Sequence, residues 1–488
     1  MQKLGHWGSL PLLLAFTGTA MALPAGDAVR SAGGSMLTAN AADAIHATCL
    51  DLVANSAQNQ ETPAQTDLRV NCGNMVRTTL NVINGVAVNE YGFTTEEELF
   101  NGIRQFTGEE TSSQGRYATE TTNRQFSLAS ARLAAIRQGS RGASGLTFNL
   151  QGLDAIAQTA QTDSGASQGT PLTGGSAGEA GVGVDTGFAW FGNVDFGFGD
   201  RDGSINEDGY EFDAYEFSFG VDYAWGNGWV LGGILSLSDH EVDFDSASSS
   251  VAPVDGGSME SDGYTLSAFT QYQADRFYLS GILGMGDIDH EMDRTVRFTS
   301  SGAGASPNRV MNADTESDQL AGQFTAGWIL GQNAITTDLY LGIDYLNIEV
   351  DSFTEDETTA GGGLNLAFDK QDIDSLQSIV GARVQRVMNT GGGVLIPYFG
   401  VEYRHEFDND ARVVDARYAQ ALGDIDGNGA SINFAMPTDD PDEDFGEVTL
   451  GLSFQRPNNM VVFLQVQSAV GLNNANMHLI TAGIRGSF

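Results

Sequence analysis

Three sets of residues in this chain of 488 have types and spacings that could do chemistry. In the first, Asp424, Asp426 and Asn428 offer side-chain oxygens at alternate positions of Asp424-Ile425-Asp426-Gly427-Asn428-Gly429, with glycine at the sharp turn. That is the opening half of a calcium-binding loop. The twelfth position holds Ala435 where a bidentate glutamate belongs, so the string also reads as a plain Gly/Asp turn. Asp200, Asp202, Glu207 and Asp208 form a weaker version. Calcium is the one cofactor these patterns leave open. The second set is Cys49 and Cys72. Their spacing fits no metal motif; in an oxidising compartment they would pair, closing a loop of about 24 residues worth ~3 kcal/mol in the chain-entropy model. The third set is a group of arginines on one predicted helix, Arg124, Arg132 and Arg137, together with ionised residues set into strands elsewhere. Ion pairing is the chemistry these offer. Catalysis is not expected: His240, His290, His405 and His478 fall near strand ends, no serine occupies a strand-turn-helix nucleophile elbow, and H-E-x-x-H is absent.

The charge balance narrows the partners. Formal net charge is −40, from 63 acidic and 23 basic residues, and Lys3 and Lys370 are the only lysines. Such a chain is not expected to bind nucleic acid, whose phosphates require cations. It would approach an anionic surface only with divalent cations between. An acidic surface also suits a saline habitat.

Residues 1–22 read as a secretory signal. Lys3 and His6 precede an apolar run from Leu10 to Phe16, then small residues lead to Ala20-Met21-Ala22, an A-x-A cleavage site. The run is too short for a bilayer core of ~30 Å. Residues 23–138 read as a small exported helical region, opening on a flexible leader over 23–40. One helix carries Ala44, Ile45, Cys49 and Leu52; a second carries Leu68, Cys72, Met75 and Leu80. A disulfide would staple them. Thr94 with Glu97 forms a capping box before Leu99, Ile103 and Phe106. A fourth helix over 116–138 has Phe126, Ala129, Leu133 and Ile136 on its apolar face. Residues 139–183, crowded with glycine among Ser, Thr and Ala, read as a linker.

From residue 184 to Phe488 the hydrophobic period is two. Twelve strands are expected, near 184–199, 209–225, 228–241, 261–274, 276–290, 316–331, 334–350, 373–388, 393–408, 445–456, 459–472 and 476–488. In the seventh, Leu339, Leu341, Ile343 and Tyr345 alternate with Asp338, Gly342 and Asp344. A soluble sandwich also alternates, but its strands usually run ~5–6 residues. Here the polar face is strongly ionised: Asp195, Glu216, Asp222, Asp338, Arg383, Glu402, Arg404, Glu447 and Arg485. Aromatics such as Phe188, Trp190, Trp225, Trp229, Trp328, Tyr345 and Tyr403 sit near strand ends, where membrane interfaces require them. Connections alternate short and long, except near Asn473 and Asn474. The pattern predicts an all-β membrane fold: a twelve-stranded antiparallel up-and-down transmembrane barrel with short periplasmic turns, long outer loops and a charged lumen. Its partner is outer-membrane lipid.

The last residue is Phe488, with Ile480, Ala482 and Ile484 on the same face. That terminal pattern is the one outer-membrane barrels present to the barrel assembly machinery. Signal, short exported region, linker and a twelve-stranded barrel ending in Phe together resemble the autotransporter (type V secretion) family. Arg132-Leu133-Ala134-Ala135-Ile136-Arg137, followed by Gly139 and Arg141-Gly142, is similar to a stretch found just before such barrels. Gly486 departs from the family, which often has a larger residue there. The resemblance implies a location in the outer membrane of a Gram-negative bacterium, with the N-terminal region at the cell surface or in the periplasm. It also implies a helix in the lumen. The helix over 116–138 is the first choice, because Arg124, Arg132 and Arg137 would meet Asp195, Glu216, Asp222, Asp338 and Glu402; 153–161 is the fallback, and an ordinary amphipathic helix in the small domain remains open. The rival reading is a structural or adhesive surface protein whose acidic loops bind divalent cations.

Overall fold

The structure, a computed structural model, describes residues 25–56, 61–86, 88–108, 129–130, 132–134, 187–225, 227–245, 256–274, 276–297, 300–332, 334–357, 361–422, 432–456 and 460–487. Four helices come first: α1 (Ala25–Ser31), α2 (Met36–Ser56), α3 (Pro63–Ile83) and α4 (Glu96–Gln105). Then β1 (Gly187–Arg201), β2 (Tyr210–Ala224), β3 (Trp229–Phe244), β4 (Ser258–Gln273), β5 (Phe277–Val296), β6 (Arg309–Gln332) and β7 (Ile335–Val350) form a meander. The chain continues as β8 (Phe353–Thr354), β9 (Asp356–Glu357), β10 (Leu366–Phe368), β11 (Gln371–Arg386), β12 (Met388–Thr390) and β13 (Gly393–Glu406). It ends with β14 (Val413–Tyr418), β15 (Phe434–Pro437), β16 (Asp444–Gln455), β17 (Met460–Val470) and β18 (Ala475–Ser487).

Twelve long strands, β1 to β7 with β11, β13, β16, β17 and β18, close into an antiparallel barrel. β1 against β18 seals it, in register from Ala189↔Ser487 to Arg201↔Ala475. The expected strand positions match these elements closely. The polarity is inverted relative to a water-soluble fold: Leu339, Leu341, Ile343 and Tyr345 face outward, while Asp344 on the other face is buried. No described helix is long and apolar enough to cross a membrane. Aromatic pairs line the short-turn end, among them Phe188–Tyr223 at 4.7 Å, Trp229–Tyr272 at 5.1 Å and Phe277–Trp328 at 4.8 Å between centroids. A second, four-stranded sheet in the order β15-β14-β10-β8 stands on the long-loop end.

The expected flexible leader over 23–40 is instead α1 and the first residues of α2. Its alanines favour helix, and Ala25, Val29 and Leu37 have a core to enter. The capping box of α4 is Thr95 with Glu98, one residue later than expected. Both spacings exist in the sequence; the later one buries Leu99 and Ile103 and gives Glu98 a partner outside its own helix. The Cys49–Cys72 disulfide joins α2 to α3, as their spacing on two helices required.

Because Leu341 is 62% exposed midway along β7, its neighbours are lipid tails. Leu341→Arg should destabilise the barrel by about 2–4 kcal/mol in bilayers, the usual penalty for a basic residue at mid-depth. Denaturant unfolding in lipid vesicles measures it; an unchanged midpoint contradicts the lipid-facing assignment.

Candidate functional site

Every one of the nine ionised strand residues picked out above lies on the inward-alternating face of its strand. Their partners sort into two zones. On the side of β7, β11, β13 and β16, Arg404 donates to Asp344 (3.0 Å), Glu402 (2.8 Å) and Gln377 (3.2 Å), with Glu447 at 3.4 Å. Glu402 also accepts from the Tyr340 hydroxyl at 2.6 Å. Arg383, opposite Asp338 in register, stacks its guanidinium over the Tyr398 ring at 3.8 Å. Across the barrel, Asp195 accepts from Asn193 and Thr481, and Glu216 accepts from Ser218 at 2.6 Å. Most of these carboxylates are therefore engaged by the wall itself. Buried charges persist only when paired or hydrogen-bonded, and the wall supplies both.

Asp222 is different. Its partner comes from residues 129–130 and 132–134, which are helical and lie inside the barrel. Arg132 Nη2 donates to Asp222 Oδ1 at 2.6 Å while Nε donates to Oδ2, a fork on a carboxylate. Both side chains are 2% exposed. The guanidinium also lies 5.5 Å from the Phe191 ring centroid. Ser130 donates to Gln323 on the far wall at 2.9 Å. Ala129 and Leu133 fill a cluster with Phe191, Ala224, Val230, Ile234 and Phe269. Several of these sit by the short turn between β2 and β3, so the piece lies toward the short-turn end. Arg124 and Arg137, also expected in the pore, fall outside the described residues, as does 153–161.

At the other end the four helices rest on the long loops. Sequence reasoning missed this contact. Its only trace was apolar residues at alternate places in loops that ought to be wet, Leu364-Leu366-Phe368 and Val414-Ala416-Tyr418. Helix residues Leu37, Ile45, Met75, Leu99 and Phe106 share one buried cluster with Leu366, Phe368, Val414, Tyr418, Phe434 and Met436. Polar anchors fix the seat. Arg294 at the outer end of β5 grips Glu355 with two bonds of 2.6 Å and donates to the Gln105 carbonyl at the C-terminal end of α4 (2.9 Å). Arg309 of β6 donates to Asp67 of α3 at 2.9 Å. Ser301 donates to Glu98 through its amide (2.9 Å) and hydroxyl (2.6 Å). Gly92, at φ +73°, meets the loop backbone so closely that a Cβ would lie 2.7 Å from the Gly304 nitrogen. Arg104 reaches Asp208 at 3.3 Å, so that acidic loop pairs with an arginine of the helical unit.

The outer surface above the apolar band is acidic in rows. Asp213, Glu241, Glu260, Glu291 and Asp314 face one another directly across five adjacent strands. Asp239, Asp262, Asp289 and Glu316 form the next row. All nine are exposed. Asp424, Asp426 and Asn428 lie outside the described residues, so their loop geometry is not on view. His405, Glu443 and Asp444 bring ligand atoms within 4.8 Å on the rim, with Asp444 bonded to His405 Nδ1 (2.9 Å) and to the Tyr403 hydroxyl. His290 is held between the Ser261 and Ser317 hydroxyls at 2.8 and 2.9 Å. Ile480, Ala482 and Ile484 turn to the outer face of β18 and are half-buried to exposed; Phe488 is outside the described residues.

Breaking a buried pair strands a charge at a cost of about 3–5 kcal/mol, while removing both partners costs less. Asp222→Ala should therefore loosen the lumen segment and raise single-channel conductance in planar bilayers. Adding Arg132→Leu to Asp222→Ala should restore part of the seal. Equal conductance in all three proteins contradicts the pairing.

Esterase EstA of Pseudomonas aeruginosa and that of Pseudomonas putida are each 24% identical over 279 residues, covering 56% of this chain and 38% of theirs. The match thus spans well under half the length of those relatives. Among solved structures, the translocator domain of autotransporter NalP from Neisseria meningitidis aligns with TM-score 0.45 and 15% identity, over 62% of this chain and 89% of that one. The beta domain of the Bordetella autotransporter BrkA aligns with TM-score 0.41 and 15% identity, over 62% and 100%. Residues 190–467, from β1 into β17, match the autotransporter beta-domain family. With more than half its length matched, and with a closed lipid-facing barrel to carry the match, the chain belongs to the autotransporter β-domain family.

Proposed function

We propose that this outer-membrane protein exports its own short N-terminal region, residues 25–108, and keeps it as a cap seated on the outer loops, with 129–134 as the tether through the pore. The observation that carries this reading is the shared core between α1–α4 and the outer sheet. A region destined for release needs no common interior with its anchor. Topology supports the direction. β1 starts at the short-turn end, opposite Ala224, whereas Gly108 packs against Leu366 and Phe368 at the long-loop end. On this reading the chain joins the two ends through the lumen, where Arg132 meets Asp222. The Arg132–Asp222 fork acts as the clamp that holds the tether in place. Ile480, Ala482 and Ile484, outward on β18, serve as the surface offered to the assembly machinery during insertion.

Antibody to residues 25–108 should label intact cells, and the labelled band should have full mature length. Labelling only after the outer membrane is permeabilised, or a barrel lacking the region, contradicts the proposal.

The paired carboxylate rows favour divalent cations as a further partner. Like charges directly opposite across strands destabilise a sheet. Among the described residues, none of the nine has a lysine or arginine ion-pair partner. Calcium or magnesium between neighbouring carboxylates removes the repulsion. Chelation should lower the temperature of the gel-mobility shift, and Glu241→Gln with Glu260→Gln should blunt that response. A mobility shift indifferent to chelation in both proteins sinks the cation reading.

A further inference from the structure

We infer that the four-stranded outer sheet is a folding scaffold on which the exported helices acquire their structure, so that the barrel finishes its own cargo as well as passing it. The inference rests on the surface-cap reading above.

The strands of the sheet pair with one another without the helices. β10 pairs with β14 and β8, and β14 with β15, through Leu366↔Tyr418, Ala367↔Thr354 and Val413↔Pro437. The Arg294–Glu355 fork ties it to the barrel, and Glu355 also accepts from the Leu366 amide at 2.7 Å. What it lacks is an apolar cover. Phe368, Tyr418, Phe434 and Met436 are all nearly inaccessible, and the helices are among the residues that hide them.

The helices are the reverse case. The helical unit supplies most of the shared cluster, and the outer sheet with the strand ends beside it supplies the rest, a sizeable addition for a unit this small. Each of α2, α3 and α4 has an anchor on the outer end of the barrel or its sheet: Asn40 of α2 donates to the Ala435 carbonyl (3.5 Å), Asp67 of α3 accepts from Arg309, and α4 is held at both ends by Ser301 and Arg294.

The order of events follows from the lumen. Among the described residues, the helical piece at Leu133 meets the wall both at Phe191 and, through Ser130, at Gln323. A stapled pair of helices, each ~10–12 Å across, is about twice as wide as that one piece. The helices therefore reach the outer face unpacked, and the first apolar surface they meet is the bare sheet. Hydrophobic cover and the Arg294, Arg309 and Ser301 anchors then select the native arrangement.

Two variants test this in cells making the full chain. Phe368→Asp puts a charge in the shared core. Ser301→Asp puts a carboxylate against Glu98 from a loop and leaves the sheet untouched. In both, the barrel should keep its heat-dependent mobility and residues 25–108 should still be labelled on intact cells. The region should nevertheless be cut by protease about tenfold faster or more, because cleavage follows the unfolded population. Phe368→Leu should restore resistance. Unchanged resistance in Ser301→Asp and Phe368→Asp overturns the scaffold, since the helices would then fold alone. Loss of surface labelling in the unmodified protein is a different result: it overturns the cap reading instead.

Discussion

Hydrocarbon offers no hydrogen bonds, and that single deficiency organises the molecule. A strand set in lipid must pair on both edges, each unpaired backbone group costing several kcal/mol. The sheet answers by closing, β1 on β18 and β11 on β13. An even number of strands returns the end of the barrel to the face where it began. The helical unit, upstream of β1, lies on the opposite face. In the proposed route the chain joins the two faces through the lumen, where Arg132 meets Asp222. The fork at Asp222 and the shared core between the helices and the outer sheet are the observations that this route would unite.

The lumen shows how much of its charge is structural. Arg404 answers three carboxylates at once, and Asp195 and Glu216 are held by neutral groups of the wall. These are costly groups to bury, tolerated because each has partners. Asp222 is held through Arg132, on the helical piece inside the barrel. A carboxylate saved for a visitor is better evidence of that visitor's place than the general acidity of the pore.

Period-two alternation made the barrel legible in the sequence, because strands longer than a sandwich needs, apolar on the face that proved exposed, leave few other folds. Long-range contacts were not legible. β8, β10, β14 and β15 run 2, 3, 6 and 4 residues, too short for a periodic signal, and they come from two loops separated by two barrel strands. Their shared apolar face exists only once the barrel brings the loops together. The α4 cap slipped by one residue because Thr94 and Thr95 each have a glutamate three positions on, and Ser301, two hundred residues away, decides between them. The carboxylate rows needed strand register, which composition does not supply. Arg132 and Asp222 stood in the sequence as members of two groups that could pair; which member met which was set by depth in the barrel.

The threaded route is tested most directly by a crosslink between the inside segment and the wall. Ser130 and Gln323 lie in hydrogen-bond contact at 2.9 Å, 193 residues apart. With cysteine at both positions, in a protein that retains Cys49 and Cys72, oxidation in intact cells should join the two segments. Cleavage between them should then leave the fragments linked until reduced. If the fragments separate without reduction while the barrel still shows its heat-dependent mobility, the segment does not occupy the lumen and the route through it is wrong.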